Sequence, residues 1–240
     1  MSEKIDGPET DRLPVILFAG KGSRLKRDLD GPKGLAPVGD ETLVSLQVKR
    51  FKEGHRTPLV VVRKDEREAF ESYFAKTNLS VTLVVDKDPT GPACSLVAAL
   101  DSLTIPSHTV VVVLGDSICS SRTILEFVPP SDRMGAIAVA KRNPHNMGSS
   151  VVLYRKGILQ AYKPKDFSKG WKWAGTAVLP WALAKCIKPS EKLLPELVAL
   201  SRLGANLSVV KEAGTAINVN TLAELHAANE LFRTSQGRPR

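Results

Sequence analysis

Cysteine is scarce in this 240-residue chain, and the few cysteines form no recognisable pattern. There are three, widely spaced and without a CxxC pair: Cys94, Cys119 and Cys186. An odd number of scattered cysteines predicts neither a disulfide framework nor a zinc site. We interpret them as free thiols of a protein that folds in a reducing compartment.

Long apolar runs are also missing. The N-terminal segment MSEKIDGPETDR is polar and lacks the apolar core of a secretory leader. No later apolar run approaches the length that spans a bilayer. These absences predict a cytoplasmic protein without a membrane partner.

Aromatic residues make up only 5% of the chain, whereas basic residues are in excess, with a formal net charge of +9. This charge favours an anionic partner. The basic residues are spread along the chain, and few aromatic side chains are available for base stacking. A phosphorylated metabolite is therefore favoured over nucleic acid, and the oligomeric state stays open.

Short runs of β-branched residues alternate with segments of helical periodicity. The runs are apolar throughout, which is typical of strands buried on both faces of a mostly parallel sheet. They are PVILF (14–18), PLVVVR (58–63), VTLVV (81–85), TVVVVLG (109–115), GAIAVA (135–140) and SVVLY (150–154). Helical spacing occurs in 42–54, 65–76, 93–103, 193–200 and 222–231. The alternation predicts a three-layer α/β/α fold with a mostly parallel, mixed central sheet.

No internal repeat, low-complexity tract or change of composition marks a linker. We therefore expect one domain, 13–233, between flexible tails at 1–12 and 234–240. Within this domain, about 141–190 is expected to form a lobe on the substrate side.

The stretch LFAGKGSRLKRDLDGPKGL (17–35) interrupts a strand-like run with glycine. Glycine at positions 20 and 22 lets the backbone approach a phosphate chain closely, and the stretch adds cations at Lys21, Arg24 and Lys33. The dinucleotide pattern G-x-G-x-x-G is excluded because position 25 is leucine, and no Gly-Lys-Ser/Thr completes a Walker A loop. The stretch indicates a different phosphate loop, or else a plain turn after the first strand.

LFAGKGSRL followed by PKGLAPVG resembles the signature of the nucleotidyltransferases that make nucleotide-sugars and related activated alcohols. That signature reads Leu-Ala-Ala-Gly-x-Gly-x-Arg-Leu, then Pro-Lys-x-Leu, then Pro-Val. The chain departs from it at Phe18, where the family has a small residue. The resemblance implies the family's Rossmann-like fold. It assigns nucleotide binding to Ala19, Gly20, Lys21 and Gly22, and catalysis at the departing pyrophosphate to Arg24 and Lys33.

A metal site is expected after the most hydrophobic strand, because ligands collect at the carboxyl ends of strands in an open α/β sheet. Asp116 follows that strand directly in VVVVLGDS. The resemblance assigns Asp116 and Asn220, in AINVNTLAEL, to the ligands of Mg²⁺ or Mn²⁺. The alternative for each residue is that it caps the helix that follows it.

The remaining matches concern the nucleotide base and the second substrate. The resemblance assigns base recognition to the turn at Thr90 and Gly91, within DPTGPACSLVAAL. It assigns the acceptor phosphate to Lys163, as a further catalytic residue, and the acceptor site to Gly148 and Gly175. The family has a glutamate where this chain has Tyr162. Whether Tyr162, Trp171 and Trp173 line the acceptor pocket or only pack stays open.

Together these matches imply metal-dependent transfer of a nucleotidyl group from a nucleoside triphosphate, with a pyrimidine favoured (CTP, or UTP or dTTP). The acceptor would be a small phosphomonoester such as a sugar 1-phosphate, and pyrophosphate would be released. One alternative is a cytidylyltransferase for a non-sugar phosphate, such as a phosphocholine-like, polyol or amide phosphate. An alternative from another class is a catalytically silent, nucleotide-binding regulatory subunit.

Overall fold

The structure is a computed structural model that describes residues 11–20, 25, 29, 31–51, 55–104, 106–119, 123–141, 151–155, 158–162 and 171–235. These residues form twelve β-strands and six α-helices. The strands are β1 (Arg12–Leu17), β2 (Pro37–Val38), β3 (Glu41–Thr42), β4 (Leu59–Arg63), β5 (Thr82–Asp86), β6 (Thr109–Leu114), β7 (Ser117–Cys119), β8 (Met134–Lys141), β9 (Val151–Arg155), β10 (Ile158–Tyr162), β11 (Trp171–Pro180) and β12 (Asn206–Asn218).

The helices are α1 (Leu43–Val48), α2 (Arg67–Thr77), α3 (Pro92–Asp101), α4 (Trp181–Lys185), α5 (Leu193–Arg202) and α6 (Leu222–Ser235). Short 3₁₀ turns occupy Lys33–Leu35, Lys64–Glu66 and Thr123–Glu126. None of the helices in the described part of the chain combines the length and apolarity that crossing a bilayer requires.

One large mixed sheet organises the fold, with its main strands in the order β5-β4-β1-β6-β11-β8-β12-β7. The strands β5, β4, β1 and β6 are parallel. From β11 onward the sheet becomes mixed, because β11 is antiparallel to both β6 and β8, and β12 is parallel to β8. The hairpin β9–β10 joins the sheet through β11.

Helices cover both faces of the parallel half. Successive residues of β1 alternate between the faces: Val15 belongs to a core cluster with helices α3, α4 and α5, whereas Ile16 belongs to a cluster with α1, α2 and α6. Both residues are fully buried. Strands buried on both faces explain why these runs are apolar throughout. The predicted three-layer α/β/α fold with a mostly parallel, mixed sheet is confirmed.

One helix is much shorter than its sequence pattern predicts. The periodicity covers 42–54, but α1 ends at Val48. At its end the hydrogen bonding tightens to three-residue turns, from the Arg50 amide to the Gln47 carbonyl and from the Phe51 amide to the Val48 carbonyl. The buried Arg50 guanidinium also donates to Gln47 Oε1 over 2.9 Å, which holds this turn inward.

Candidate active site

A cavity of about 230 Å³ opens where β1 and β6 end. The two strands are adjacent and parallel, with Leu17 opposite Leu114, so the residues after them reach the same edge of the sheet. The amide of Gly115 donates to the Leu17 carbonyl over 2.9 Å and holds both chain ends together. The cavity is lined by Leu17, Phe18, Ala19, Gly20, Lys33, Pro92, Ser95, Leu114, Asp116 and Asn220.

Three predicted site residues meet in the wall of this cavity. The Lys33 ammonium donates to Asp116 Oδ2 over 2.7 Å and to Asn220 Oδ1 over 2.9 Å. The side chains of Lys33 and Asp116 are 14% and 27% exposed, so they are shielded from bulk water but open to the cavity. We call Lys33, Asp116 and Asn220 the charged cluster.

Backbone pairing brings these residues together from distant parts of the sequence. The Val219 amide donates to the Asp116 carbonyl over 2.8 Å, which places Asn220 beside the end of β6. Lys33 enters through its 3₁₀ turn, which follows the extended Pro32. The cluster therefore rests on the sheet and on the 3₁₀ turn that begins at Lys33.

Neither Asp116 nor Asn220 caps a helix. The short strand β7 follows Asp116. At the start of α6 the cap is Thr221, whose hydroxyl oxygen accepts from the Glu224 amide over 3.3 Å, while the Glu224 carboxylate accepts from the Asn220 amide over 2.8 Å. Because this capping box satisfies the helix end, the Asn220 side chain is available to the charged cluster.

Ser117 connects the charged cluster to its surroundings. Its hydroxyl donates to Asn218 Oδ1 over 3.1 Å, and its carbonyl accepts from the Gln47 amide group over 2.8 Å. Gly175 packs directly against it: the residue has φ +76°, and a Cβ there would lie 2.2 Å from Ser117 Oγ. The structure therefore gives Gly175 a packing reason, and its role at the acceptor stays a prediction.

Phe18, where the chain departs from the family signature, packs against the glycines next to Lys33 and Asp116. The residue is 7% exposed. A Cβ on Gly115 would lie 2.5 Å from the ring, and a Cβ on Gly34 would lie 2.8 Å from it. Because Gly34 follows Lys33 and Gly115 precedes Asp116, the ring fills space that only glycine leaves free beside both. The sequence signalled this only as a large residue at a small-residue position.

The start of α3 forms another part of the cavity wall, directly after the turn at Thr90 and Gly91. Gly91 packs against the chain at Glu191, since a Cβ there would lie 2.1 Å from the Glu191 carbonyl oxygen. The Thr90 hydroxyl contacts the Cys94 thiol over 2.7 Å. Pro92 and Ser95, both from the first turn of α3, line the cavity here. Base recognition by Thr90 and Gly91 stays a prediction, and Ser95 is a wall residue that the sequence did not reveal.

The two tryptophans pack against the core. Both Trp171 and Trp173 contact the cluster that contains α3 to α5. The Lys211 ammonium lies 5.1 Å from the Trp171 ring centroid, and the Trp173 indole donates to the Thr176 carbonyl over 3.2 Å. Tyr162 ends β10.

Five predicted site residues lie outside the described residues, so their roles stay predictions: Lys21, Gly22, Arg24, Gly148 and Lys163. Ala19 and Gly20 line the cavity, as nucleotide binding requires.

The charged cluster fits a divalent metal by its chemistry. Within the described ranges no group of three or more His, Cys, Asp or Glu side chains could hold a metal. Asp116 Oδ2 and Asn220 Oδ1, however, both lie within hydrogen-bond distance of one cation, the Lys33 ammonium. Two hard oxygen ligands that converge on one point suit Mg²⁺ or Mn²⁺ when phosphate oxygens supply the remaining ligands.

Similar proteins are found by sequence and by fold. The chain is 29% identical over 239 residues to the bifunctional protein GlmU of Rhodopseudomonas palustris. The alignment covers 92% of this chain and 52% of that protein. The chain thus spans about half the length of this relative. The fold is similar to that of the inositol-1-phosphate CTP transferase from T. maritima, with a TM-score of 0.78, 18% identity and coverage of 95% and 97% of the two chains.

HddC from Yersinia pseudotuberculosis gives a TM-score of 0.70 at 17% identity, with coverage of 92% of this chain and 99% of that one. These identities are low, so the two structures support the fold alone. The model of the MobA-like NTP transferase domain matches residues 14–173, which include the glycine-containing stretch 17–35 and Asp116. The predicted resemblance to nucleotidyltransferases is confirmed: this chain belongs to the family of MobA-like NTP transferase domains.

Proposed function

We propose that the chain transfers a nucleotidyl group from a nucleoside triphosphate, with pyrimidines favoured, to a small phosphomonoester such as a sugar 1-phosphate, and releases pyrophosphate. The observation that carries this proposal is the convergence of Lys33, Asp116 and Asn220 in a cavity that begins at Gly20. A lysine beside a carboxylate and an amide oxygen suits a triphosphate with a metal ion.

The reaction needs no side-chain nucleophile. An oxygen of the acceptor phosphate attacks the α-phosphorus, and the bond from that phosphorus to the bridging oxygen of the β-phosphate breaks, so that pyrophosphate leaves. The attacking oxygen is already an anion, so the protein must mainly position two phosphates and stabilise the developing negative charge. The charged cluster has the groups for this task.

Within this proposal the roles are divided by position. Gly20 and Gly22 approach the triphosphate, Arg24 and Lys33 stabilise the departing pyrophosphate, and Lys163 holds the acceptor phosphate. Asp116 and Asn220 would hold Mg²⁺ or Mn²⁺, which neutralises charge on the phosphate oxygens when bound. The Lys33 ammonium contacts both ligand oxygens, so it must move toward the phosphates when the metal binds.

The name of one structural neighbour is consistent with this range of substrates. That protein of the same fold is an inositol-1-phosphate CTP transferase, a name that pairs a pyrimidine nucleotide with a polyol phosphate. A sugar 1-phosphate is our first choice of acceptor, and a non-sugar phosphate such as a polyol phosphate is the alternative. Nucleoside triphosphates are concentrated in the cytoplasm, where we place the reaction.

Pyrophosphate release tests the proposal. The chain is incubated with Mg²⁺ and each of CTP, UTP, dTTP, GTP and ATP against sugar 1-phosphates, inositol phosphate and phosphocholine. We expect release with one pyrimidine nucleotide and one class of acceptor. Release with no pair, while a nucleotide still binds, would indicate the silent regulatory subunit. Absence of nucleotide binding would overturn the proposal altogether.

A further inference from the structure

The cavity wall has a further polar side chain besides the charged cluster, that of Ser95 in the first turn of α3. Ser95 lines the cavity although the residue is only 2% exposed. It contacts Asp86, the last residue of β5, which is 3% exposed. Among the described residues that line the cavity, Ser95 is the one polar side chain outside the charged cluster. If the charged cluster binds the phosphates, the Ser95–Asp86 pair remains for the nucleoside.

The proton of Ser95 is already committed. The hydroxyl donates to Asp86 Oδ2 over 2.7 Å, and its second neighbour, the Gly91 carbonyl oxygen at 3.2 Å, is also an acceptor. A serine hydroxyl has one proton and two lone pairs. Because both neighbours accept, Ser95 can offer the cavity only lone pairs.

The Asp86 carboxylate fixes this polarity. Its second oxygen, Oδ1, accepts from the Asp88 amide over 3.1 Å, so the carboxylate is held from both sides. Among the ion pairs that the described residues form, none includes Asp86. A buried carboxylate behind an acceptor makes this wall attractive to N–H groups and repulsive to carbonyl oxygens.

We infer that the Ser95–Asp86 pair selects a base with an exocyclic amine, and among pyrimidines selects cytosine over uracil and thymine. This inference rests on the proposed function, because it requires a nucleotide in the cavity. Cytosine carries an amine at C4, whereas uracil and thymine carry a carbonyl oxygen there. The single ring N–H of uracil lies between two carbonyl oxygens, both of which the Asp86 charge repels.

The wall can form a hydrogen bond with the C4 amine of cytosine, but it repels the C4 carbonyl of uracil, so the two nucleotides should differ substantially in affinity. A mismatched donor or acceptor leaves buried polar groups unpaired, and we expect CTP to bind about 10- to 100-fold more tightly than UTP. The nucleobase choice would then depend on one proton, that of Ser95.

Asp86→Asn tests the direction of this hydrogen bond with almost no change of shape. The introduced carboxamide can accept from the Asp88 amide and donate to Ser95 Oγ, which releases the Ser95 proton from residue 86, so that it can be shared between the Gly91 carbonyl and a base in the cavity. A donor there suits the C4 carbonyl of uracil. Asp88→Asn is the matched control, because Asp88 is two residues away and exposed, and it loses the same charge.

The measurement is calorimetric titration of the wild type and each variant with CTP, UTP, ATP and GTP in the presence of Mg²⁺, without an acceptor. We expect the CTP preference over UTP to fall by about tenfold or more in Asp86→Asn and to be unchanged in Asp88→Asn. Ser95→Ala should weaken CTP by about tenfold and leave UTP unaffected. A thermal melt of each variant checks that it is folded.

The outcomes separate this inference from the proposed function. If no nucleotide binds the wild type, the proposed function fails and the base selection with it. If UTP binds the wild type as tightly as CTP, or if folded Asp86→Asn keeps the full CTP preference, the base selection alone is overturned. If the variants do not fold, the wild-type preference between CTP and UTP decides.

Discussion

Two carboxylates lie close to the cavity, Asp116 in its wall and Asp86 behind the wall residue Ser95, but the groups that face them differ. Asp116 faces the ammonium of Lys33, a partly exposed side chain on a short 3₁₀ turn, and we expect a metal ion to displace it. Asp86 faces a hydroxyl proton that cannot leave, since Ser95 is buried in the first turn of α3. From this difference we expect the charged cluster to control charge and the Ser95–Asp86 pair to control hydrogen-bond direction. Loss of charge should therefore affect turnover at Asp116 and nucleotide choice at Asp86.

The largest effect is expected from Asp116→Asn. The substitution keeps the shape but removes the only carboxylate of the charged cluster, so pyrophosphate release should fall by about a hundred- to a thousandfold. Asp101→Asn is the control, because Asp101 forms a surface ion pair with Lys185. Equal turnover in Asp116→Asn and wild type would contradict the role of the charged cluster in the reaction.

Lys33→Met should separate two functions of one ammonium. Turnover should fall by about a hundredfold or more, because charge on the phosphates loses a partner. The affinity for Mn²⁺ without nucleotide should rise by about tenfold, because the cation that occupies the two oxygens is gone. Electron paramagnetic resonance of free Mn²⁺ measures the affinity, with Lys185→Met as the control. An unchanged Mn²⁺ affinity would show that Lys33 does not compete with the metal.

A smaller effect should reveal the aromatic support beneath the charged cluster. Gly115→Ala should destabilise the fold by about 1–3 kcal/mol, because each close neighbour of the new methyl group belongs to the Phe18 ring. In a Phe18→Ala background the same change should cost little. Urea unfolding of the four proteins in this cycle measures the coupling, and simple additivity would show that Phe18 and Gly115 are independent.

The smallest effect concerns Glu41, a carboxylate that does not line the cavity. It serves as a reference for the two carboxylates compared above, Asp116 and Asp86. Burial raises the pKa of Glu41, but hydrogen bonds from Lys49 and Ser45 outweigh burial and lower it below its ordinary value of 4.5. A carboxyl group whose pKa is lower in the folded state stabilises the fold at pH values above its ordinary pKa. This stabilisation is lost as the pH falls through the lowered pKa. Glu41→Gln should therefore be slightly less stable than wild type at pH 7, and the difference should shrink as the pH falls through the lowered pKa of Glu41. A pH-independent difference would contradict this.

The parallel half of the sheet could be predicted from sequence, whereas much of the mixed half could not. The runs that became β1, β4, β5 and β6 are apolar throughout because helices cover both of their faces. The longest strand, β12, escaped prediction because its buried and exposed positions do not alternate regularly. Its pairing with β8 also shifts register between Glu212 and Thr215. An irregular strand of this kind leaves no simple period in the sequence.

The site residues also fall into those that the sequence predicted and those that it did not. Lys33 and Asp116 belong to short motifs, and the motifs predicted them. The roles of Phe18 and Ser95 depend on residues far away in sequence or on the direction of a single proton. The packing role of the Phe18 ring is recognisable only in the structure, where Gly34 and Gly115 lie beside it. Such roles require the fold, because no local pattern records them.

The most direct test of the central claim is the fate of the α-phosphate. Wild-type protein is incubated with Mg²⁺, CTP labelled at the α-phosphorus and the acceptor that supports pyrophosphate release. We predict that the label appears in a product that joins CMP to the acceptor through a diphosphate, and that Asp116→Asn forms this product at least a hundredfold more slowly. Label found only in free CMP, or product formed equally fast by Asp116→Asn, would contradict nucleotidyl transfer at the charged cluster.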